Sequence, residues 1–250
     1  MTVRKYKLTI AYDGSSYEGW QARSNGHGIR QTIAHACEQL VGSTPEIIAS
    51  SRTDAGVHAR GLVAHIELTN EHPPFTGAQL RLALNARLPA EIRILTAVRT
   101  RADFHARFDA RTKEYRYQVW NHPVMAPLLR QQAWHVPRAL DLAAMREAAE
   151  ALIGRHDFRA FTAKRKGTLL DSTRTLLTCH IKRSGPLLTV RLIGEGFLYK
   201  MCRRIAGTLV QVGEGKLTPT EVQSLLEPTH THPAGMIAPA HGLILWKVRY

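Results

Sequence analysis

Two periodicities alternate along this chain, and their order restricts the folds open to it. Tyr6, Leu8, Ile10 and Tyr12 recur at every second residue, the spacing of a strand with one buried face. After the loop "DGSSYEGWQARSNGHG", Ile29, Ile33, Ala36, Cys37, Leu40 and Val41 recur at helical spacing. Short strands follow near 45–50 and 61–69, then a helix around Gln79 to Asn85 and a strand carrying Ile92, Ile94 and Val98. This half is predicted to run β-α-β-β-α-β. In its third strand Leu62, Ala64, Ile66 and Leu68 alternate with Val63, His65, Glu67 and Thr69, the pattern of a half-buried strand.

The second half repeats the order in pattern rather than in letters. A strand is predicted at 112–120, a helix carrying Leu142, Met145, Ala149 and Leu152, strands near 174–183 and 187–193, and a helix at about 198–212. Thr218, Pro219 and Glu221 form a capping-box start for a further helix with Val222, Leu225 and Leu226. The closing "GLILWKVRY" is a final strand. The architecture expected is α+β: two topologically similar β-α-β-β-α-β domains, 1–102 and 103–250, with largely antiparallel sheets and helices on one face.

One loop breaks the periodicity. In "SSRTDAGVHARGL" Asp54 lies between Arg52 and His58, where no strand or helix pattern accommodates it, and strands are predicted on either side. Loops held by a rigid scaffold often carry reactive side chains, and Gly56 permits a turn that a residue with a β-carbon resists. Asp54 is either such a carboxylate or a turn residue bonding nearby amides. A carboxylate that must be desolvated yet ionised needs a cation beside it. Arg52 and Arg60 are near in sequence, and a distant arginine serves equally well.

Other stretches carry two readings each. Tyr115, Tyr117 and Val119 share a strand face, able to stack on unpaired bases if open, or to form core if covered by helices. In "GEGFLYKMCRRIAG" Ile205 and Leu209 bury one helix side, so Arg203 can turn inward while Arg204 faces out, or both are solvated. Gly194 and Gly196 there suit either a phosphate-binding turn or a tight connection. "TAKRKGT" (162–168) is a basic loop for gripping phosphates or for solubility. His230 and His232 lie in a proline-containing loop without a carboxylate, a poor metal site.

Charge narrows the partner. Lys plus Arg total 34 against 20 Asp plus Glu, a formal net charge of +14 that favours a polyanion. Residues 1–100 carry a net of +3 and residues 101–250 a net of +11, so the second half should hold most of the anion-attracting surface. Arginines outnumber lysines 25 to 9, and guanidinium both forks onto phosphate and stacks on bases. Cys37, Cys179 and Cys202 are three and widely spaced, which points to a reduced, cytoplasmic protein without a zinc site. No secretory signal or membrane span is expected from the N-terminus.

At "SRTDAGVHA" the sequence resembles the tRNA pseudouridine synthase A family, whose signature is Arg-Thr-Asp-Ala-Gly-Val-His-Ala. The likeness extends through "YDGSSYEGWQ", "LNARLP" (84–89), "FHARFDARTKEYRY" (104–117), "GRHDFRAF" (154–161), "STRT" (172–175), "GFLYKMCRR" (196–204) and "APAHGLILWKV" (238–248). It departs where the family's Val-Arg-Asn triplet is replaced by Cys202, Arg203 and Arg204, keeping the arginine at Arg203. The resemblance implies the pseudouridine synthase fold, and an isomerase that converts uridine to pseudouridine at positions 38, 39 and 40 of the tRNA anticodon stem-loop. It implies that Asp54 is catalytic, that Tyr115 packs on the target uracil, that Arg203 pairs with the carboxylate and that Arg52 contacts RNA. It further implies a homodimer with basic clefts and neither metal nor organic cofactor. Two other classes compete: a non-catalytic tRNA-binding or chaperone protein on the same scaffold, and a glycosidase or nuclease using Asp54 with a second acid.

Overall fold

The computed structural model describes residues 4–22, 26–69, 75–163, 171–227 and 232–250. The chain divides into two compact units, Met1–Arg111 with Leu245–Tyr250, and Thr112–Ile244. The change of unit falls after Arg111, and the end of the chain is grouped with the first unit for a visible reason. The Arg111 N–H donates to the Arg249 carbonyl at 2.8 Å, and the Tyr250 hydroxyl donates to the Ala106 carbonyl at 2.6 Å.

The first unit is built on strands β1 (Arg4–Tyr12), β2 (Ile47–Ala49), β3 (His58–Leu68) and β4 (Ile92–Arg99), with helices α1 (Ile29–Val41) and α2 (Gly77–Asn85). Its element order is the predicted β-α-β-β-α-β. The strands lie in the order β4-β1-β3, with the last strand, β10 (Leu243–Arg249), beside β3 and β2 pairing β3. The pairs β1/β3, β1/β4 and β2/β3 are antiparallel. Tyr6, Leu8, Ile10 and Tyr12 are all buried, as are Leu62, Ala64, Ile66 and Leu68, and together with Ile33, Cys37, Leu80 and Leu84 they form the core. At roughly 25 cal/mol per Å² of apolar surface removed from water, such alternating faces set which side of the sheet takes the helices.

Two expectations from alternation fail locally. Val63 and His65, on the opposite face of β3, are buried as well, and over His65 lies the segment after β4. Ala106 donates its N–H to His65 Nδ1 at 3.1 Å, and the Phe104 ring meets His65 edge-on at 6.1 Å. In β4 the pairing with β1 shifts register between Thr9 and Ile10, which leaves Leu95 as an extra residue. A bulge of this kind inverts the alternation beyond it, so Ala97 is buried and Val98, expected inside with Ile92 and Ile94, is 49% exposed.

The second unit carries strands β5 (Thr112–Trp120), β6 (Trp134–His135), β7 (Gly154–Asp157), β8 (Thr173–Ser184) and β9 (Leu187–Gly194), with helices α3 (Leu142–Ala151), α4 (Met201–Gly213) and α5 (Pro219–Ser224). Its strand order is β5-β9-β8-β7; those pairings are antiparallel, and β6 adds to β5 in parallel. The second half is not a strict copy of the first: β6 and β7 are additions, and α4 is followed by α5 where the repeat would place a strand. Thr218 caps α5 as read, its side chain accepting from the Glu221 N–H while Glu221 returns to the Thr218 backbone. The largely antiparallel α+β class stands. No helix among the described residues is long and apolar enough to cross a membrane.

Candidate active site

Asp54 sits where the sequence placed it, on the loop between β2 and β3, half-buried beside an exposed Arg52 and a buried Thr53. What fixes this loop is a second one, residues 13–20. The Trp20 N–H donates to the Thr53 carbonyl at 3.1 Å, and the Gly56 N–H donates to the Tyr17 carbonyl at 3.2 Å. The Tyr12 hydroxyl bonds Thr53 Oγ1 at 2.7 Å in a buried contact. Inside the loop the Val57 N–H closes a turn onto the Asp54 carbonyl at 3.2 Å, with Gly56 at φ +76°.

The approach of the two loops depends on Gly19, at φ +94°. A β-carbon there would lie 2.4 Å from the Thr53 carbonyl oxygen and 2.8 Å from the Asp54 carbonyl carbon. The same loop caps α1. Gly28 offers no side chain at the helix N-cap, so the Gly19 and Trp20 carbonyls accept from the Ile29 and Arg30 N–H groups at 3.0 and 2.9 Å. The backbone of Asp54 is therefore tied through one short segment to the start of α1.

At the base of the loop, His58 is buried, its Nδ1 3.0 Å from the Gly14 N–H and 3.1 Å from Asp13 Oδ1. Burial alone would raise the Asp13 pKa. Hydrogen bonds from Ser15 and the nearby His58 outweigh it and hold the carboxyl below its usual range. Arg60, a sequence neighbour of Asp54, lies over the Trp246 ring at 4.2 Å. It lines an open groove of about 410 Å³ with Lys7, Thr9, Trp246 and Lys247.

Tyr115 and Arg203 belong to the second unit. Tyr115, on β5, is 6% exposed and meets Phe197 edge-on at 5.2 Å. Tyr117, two residues on, is fully buried, and its hydroxyl donates to the Pro239 carbonyl at 2.8 Å. For Tyr117 the core reading holds. Burial raises its pKa strongly, and the charge of Arg203 opposes that rise. Arg203 is half-buried, with Nε donating to the Ala238 carbonyl at 2.8 Å, while the Ala238 N–H donates to the Arg203 carbonyl at 3.1 Å.

The expectation that Arg204 faces out is overturned. Met201, Cys202 and nearly every later residue of α4 are buried, so the helix has almost no wet face to offer. Arg204 is 9% exposed, and its Nη1 donates to the Ala234 and Gly235 carbonyls at 2.8 and 3.3 Å. Two consecutive arginines thus hold one strand of backbone, residues 234–238, against α4. Both carry the same charge and stand one residue apart, about 100° around the helix, so charge alone does not separate them.

Gly194 serves as a tight connection: a β-carbon there would lie 2.8 Å from the Thr175 carbonyl oxygen of the paired strand. Residues 164–168 of the basic loop, and His230, lie outside the described residues. Among the described residues no group of three or more His, Cys, Asp or Glu side chains is placed to hold a metal ion. Cys37, Cys179 and Cys202 are buried and form no disulfide among the described residues, and burial pushes the Cys37 and Cys179 thiols up to about 12.

The family described as tRNA pseudouridine synthase matches residues 8–109 and 148–250, stretches that include Arg52, Asp54 and Arg203. Among curated proteins the chain is similar to tRNA pseudouridine synthase A of Pelobacter propionicus, 43% identical over 253 residues, covering 99% of this chain and all of that one. It is likewise similar to tRNA pseudouridine synthase A 2 of Clostridium perfringens, at 39% over 248 residues with 99% and 100% coverage. A third relative, tRNA pseudouridine synthase A of Geobacillus kaustophilus, is 39% identical over 250 residues, with 99% and 95% coverage.

Proposed function

This chain belongs to the tRNA pseudouridine synthase family and is an isomerase of tRNA uridines, and from that premise we propose that Asp54 is its reacting carboxylate and that its targets are positions 38, 39 and 40 of the anticodon stem-loop. The observation that carries this reading is the loop bearing Arg52, Thr53 and Asp54, pinned by hydrogen bonds from residues 12–20 within a chain matched over nearly its whole length.

The chemistry asks little else of the protein. The C1′–N1 bond breaks, the uracil turns, C1′ bonds to C5, and the C5 proton is lost while N1 ends protonated, so atoms balance within the nucleotide. Asp54 either attacks C1′ or removes a sugar proton to start elimination. Both roles need an ionised carboxylate with a fixed aim. The target base must leave its stack, at a cost of a few kcal/mol that aromatic contact offsets, and Tyr115 is the ring assigned to it. Arg203 is the cation assigned to the carboxylate, and Arg52, exposed beside Asp54, is assigned to RNA phosphate. Two such chains form the working dimer, in the cytoplasm, with the tRNA held by the arginine-rich surface.

Unmodified tRNA incubated with the protein, labelled with carbodiimide and read position by position, tests the reading. Pseudouridine should appear in the anticodon arm, with the RNA intact and of equal mass. Asp54→Asn should lower its formation on the order of 10³-fold or more while tRNA binding persists. A protein that binds tRNA and never forms pseudouridine would instead be the non-catalytic binder.

A further inference from the structure

We propose that Tyr12 is a positioning residue for the reaction, acting through the buried hydrogen bond between its hydroxyl and Thr53 Oγ1 to hold the backbone from which Asp54 projects. The inference rests on Asp54 being the reacting carboxylate.

Residue 53 is gripped twice. Its carbonyl accepts from the Trp20 N–H, and its side chain meets Tyr12 at 2.7 Å. The Cα atoms of residues 53 and 54 are joined by one trans peptide, about 3.8 Å apart, so whatever fixes Thr53 fixes the base of Asp54. The side-chain bond adds a direct tie from the loop to the sheet, because Tyr12 is the last residue of β1 and is 4% exposed. Thr53 is 8% exposed, so water does not replace the bond if it is lost. Burial also keeps the Tyr12 hydroxyl protonated far above its ordinary range, so it can act as donor at any working pH. Misplacing a reacting group by about 1 Å can cost on the order of 10²-fold, which is the scale available to such a contact.

A set of four variants, with Asp54→Asn alongside, tests this: Tyr12→Phe, Thr53→Val, the double change, and Thr53→Ser. The expected result is a kcat about 10-fold or more lower for the first three, with KM and tRNA affinity unchanged and kcat kept near wild type by Thr53→Ser. The double variant carries the discrimination. Removing both partners leaves no orphaned polar atom, so its unfolding midpoint should return towards wild type while its kcat stays low. A kcat in the double variant that recovers together with stability would show a merely structural bond and overturn the proposal. So would a Thr53→Val enzyme with wild-type kcat while Asp54→Asn is inactive, a result that leaves the reading of Asp54 intact. An active Asp54→Asn enzyme would remove that reading, and this inference with it.

Discussion

Arg204 donates through Nη1 to the Ala234 carbonyl at 2.8 Å from inside the fold, while Arg203, its neighbour on the same helix, is the half-buried one. The guanidinium is desolvated enough for burial to lower its pKa, and its Nε is a buried donor without a hydrogen-bond partner among the described residues. A long cation is thus used as a structural bracket.

Arg204→Ala should destabilise the protein by about 2–4 kcal/mol, because it opens a cavity and leaves the Ala234 carbonyl without its donor. Arg204→Met should cost less, since it keeps the volume and removes a charge with one unpaired N–H. Urea midpoints of the two variants check the order. A methionine variant less stable than the alanine one would contradict it.

Gly207 faces the same segment. A β-carbon there would lie 2.0 Å from the Met236 carbonyl oxygen, which is backbone and cannot swing aside. Gly207→Ala should therefore lose about 1–3 kcal/mol despite alanine's better helix propensity. Thermal unfolding of the variant is the measurement, and a gain in Tm would show that the segment moves freely.

Lys200, the residue before α4, has φ +61°, and among the described residues it is the one non-glycine with positive φ. A left-handed conformation costs an L residue about 1–2 kcal/mol, of which glycine's greater chain entropy takes back about half. Lys200→Gly should raise stability by about 0.5–1 kcal/mol, read as a rise in the unfolding midpoint. No change or a loss would mean that the Lys200 side chain contributes more than the strain.

His65 should make stability depend on pH. Burial lowers its pKa, with help from the charges of Lys5 and His105, so the folded state binds this proton less readily than the unfolded chain. Where the unfolded state holds more protons, stability rises with pH. The contribution is full above about pH 6.5 and is lost as pH falls from there through the folded pKa. Unfolding midpoints at about pH 7.5 and about pH 5 should differ by less in His65→Gln than in wild type. An equal difference in both would refute the assignment.

Much of the fold was legible because burial acts on spacing. The alternation in β1, the helical repeat of α1 and the Thr218 and Glu221 capping box each depend on residues close in sequence, and each appears as read. A single inserted residue defeats the same logic. The bulge at Leu95 exposes Val98, and nothing in "ILTAV" announces it, since the bulge is a property of the pairing with β1. His65 reads as an outward-facing polar residue until the segment around Phe104 and Ala106 covers it.

The site divides in the same way. Sequence alone determined that Asp54 stands on a loop between two strands, that the partner is a polyanion and which family the motifs resemble, because motif, charge and period are local quantities. Only the tertiary structure decided that Tyr12 and Trp20 hold Thr53, that Arg60 lies over Trp246, and that Arg204 and not Arg203 is the buried arginine. Those outcomes depend on which distant backbone comes within about 3 Å of a side chain, and the chain's own order carries no record of that distance.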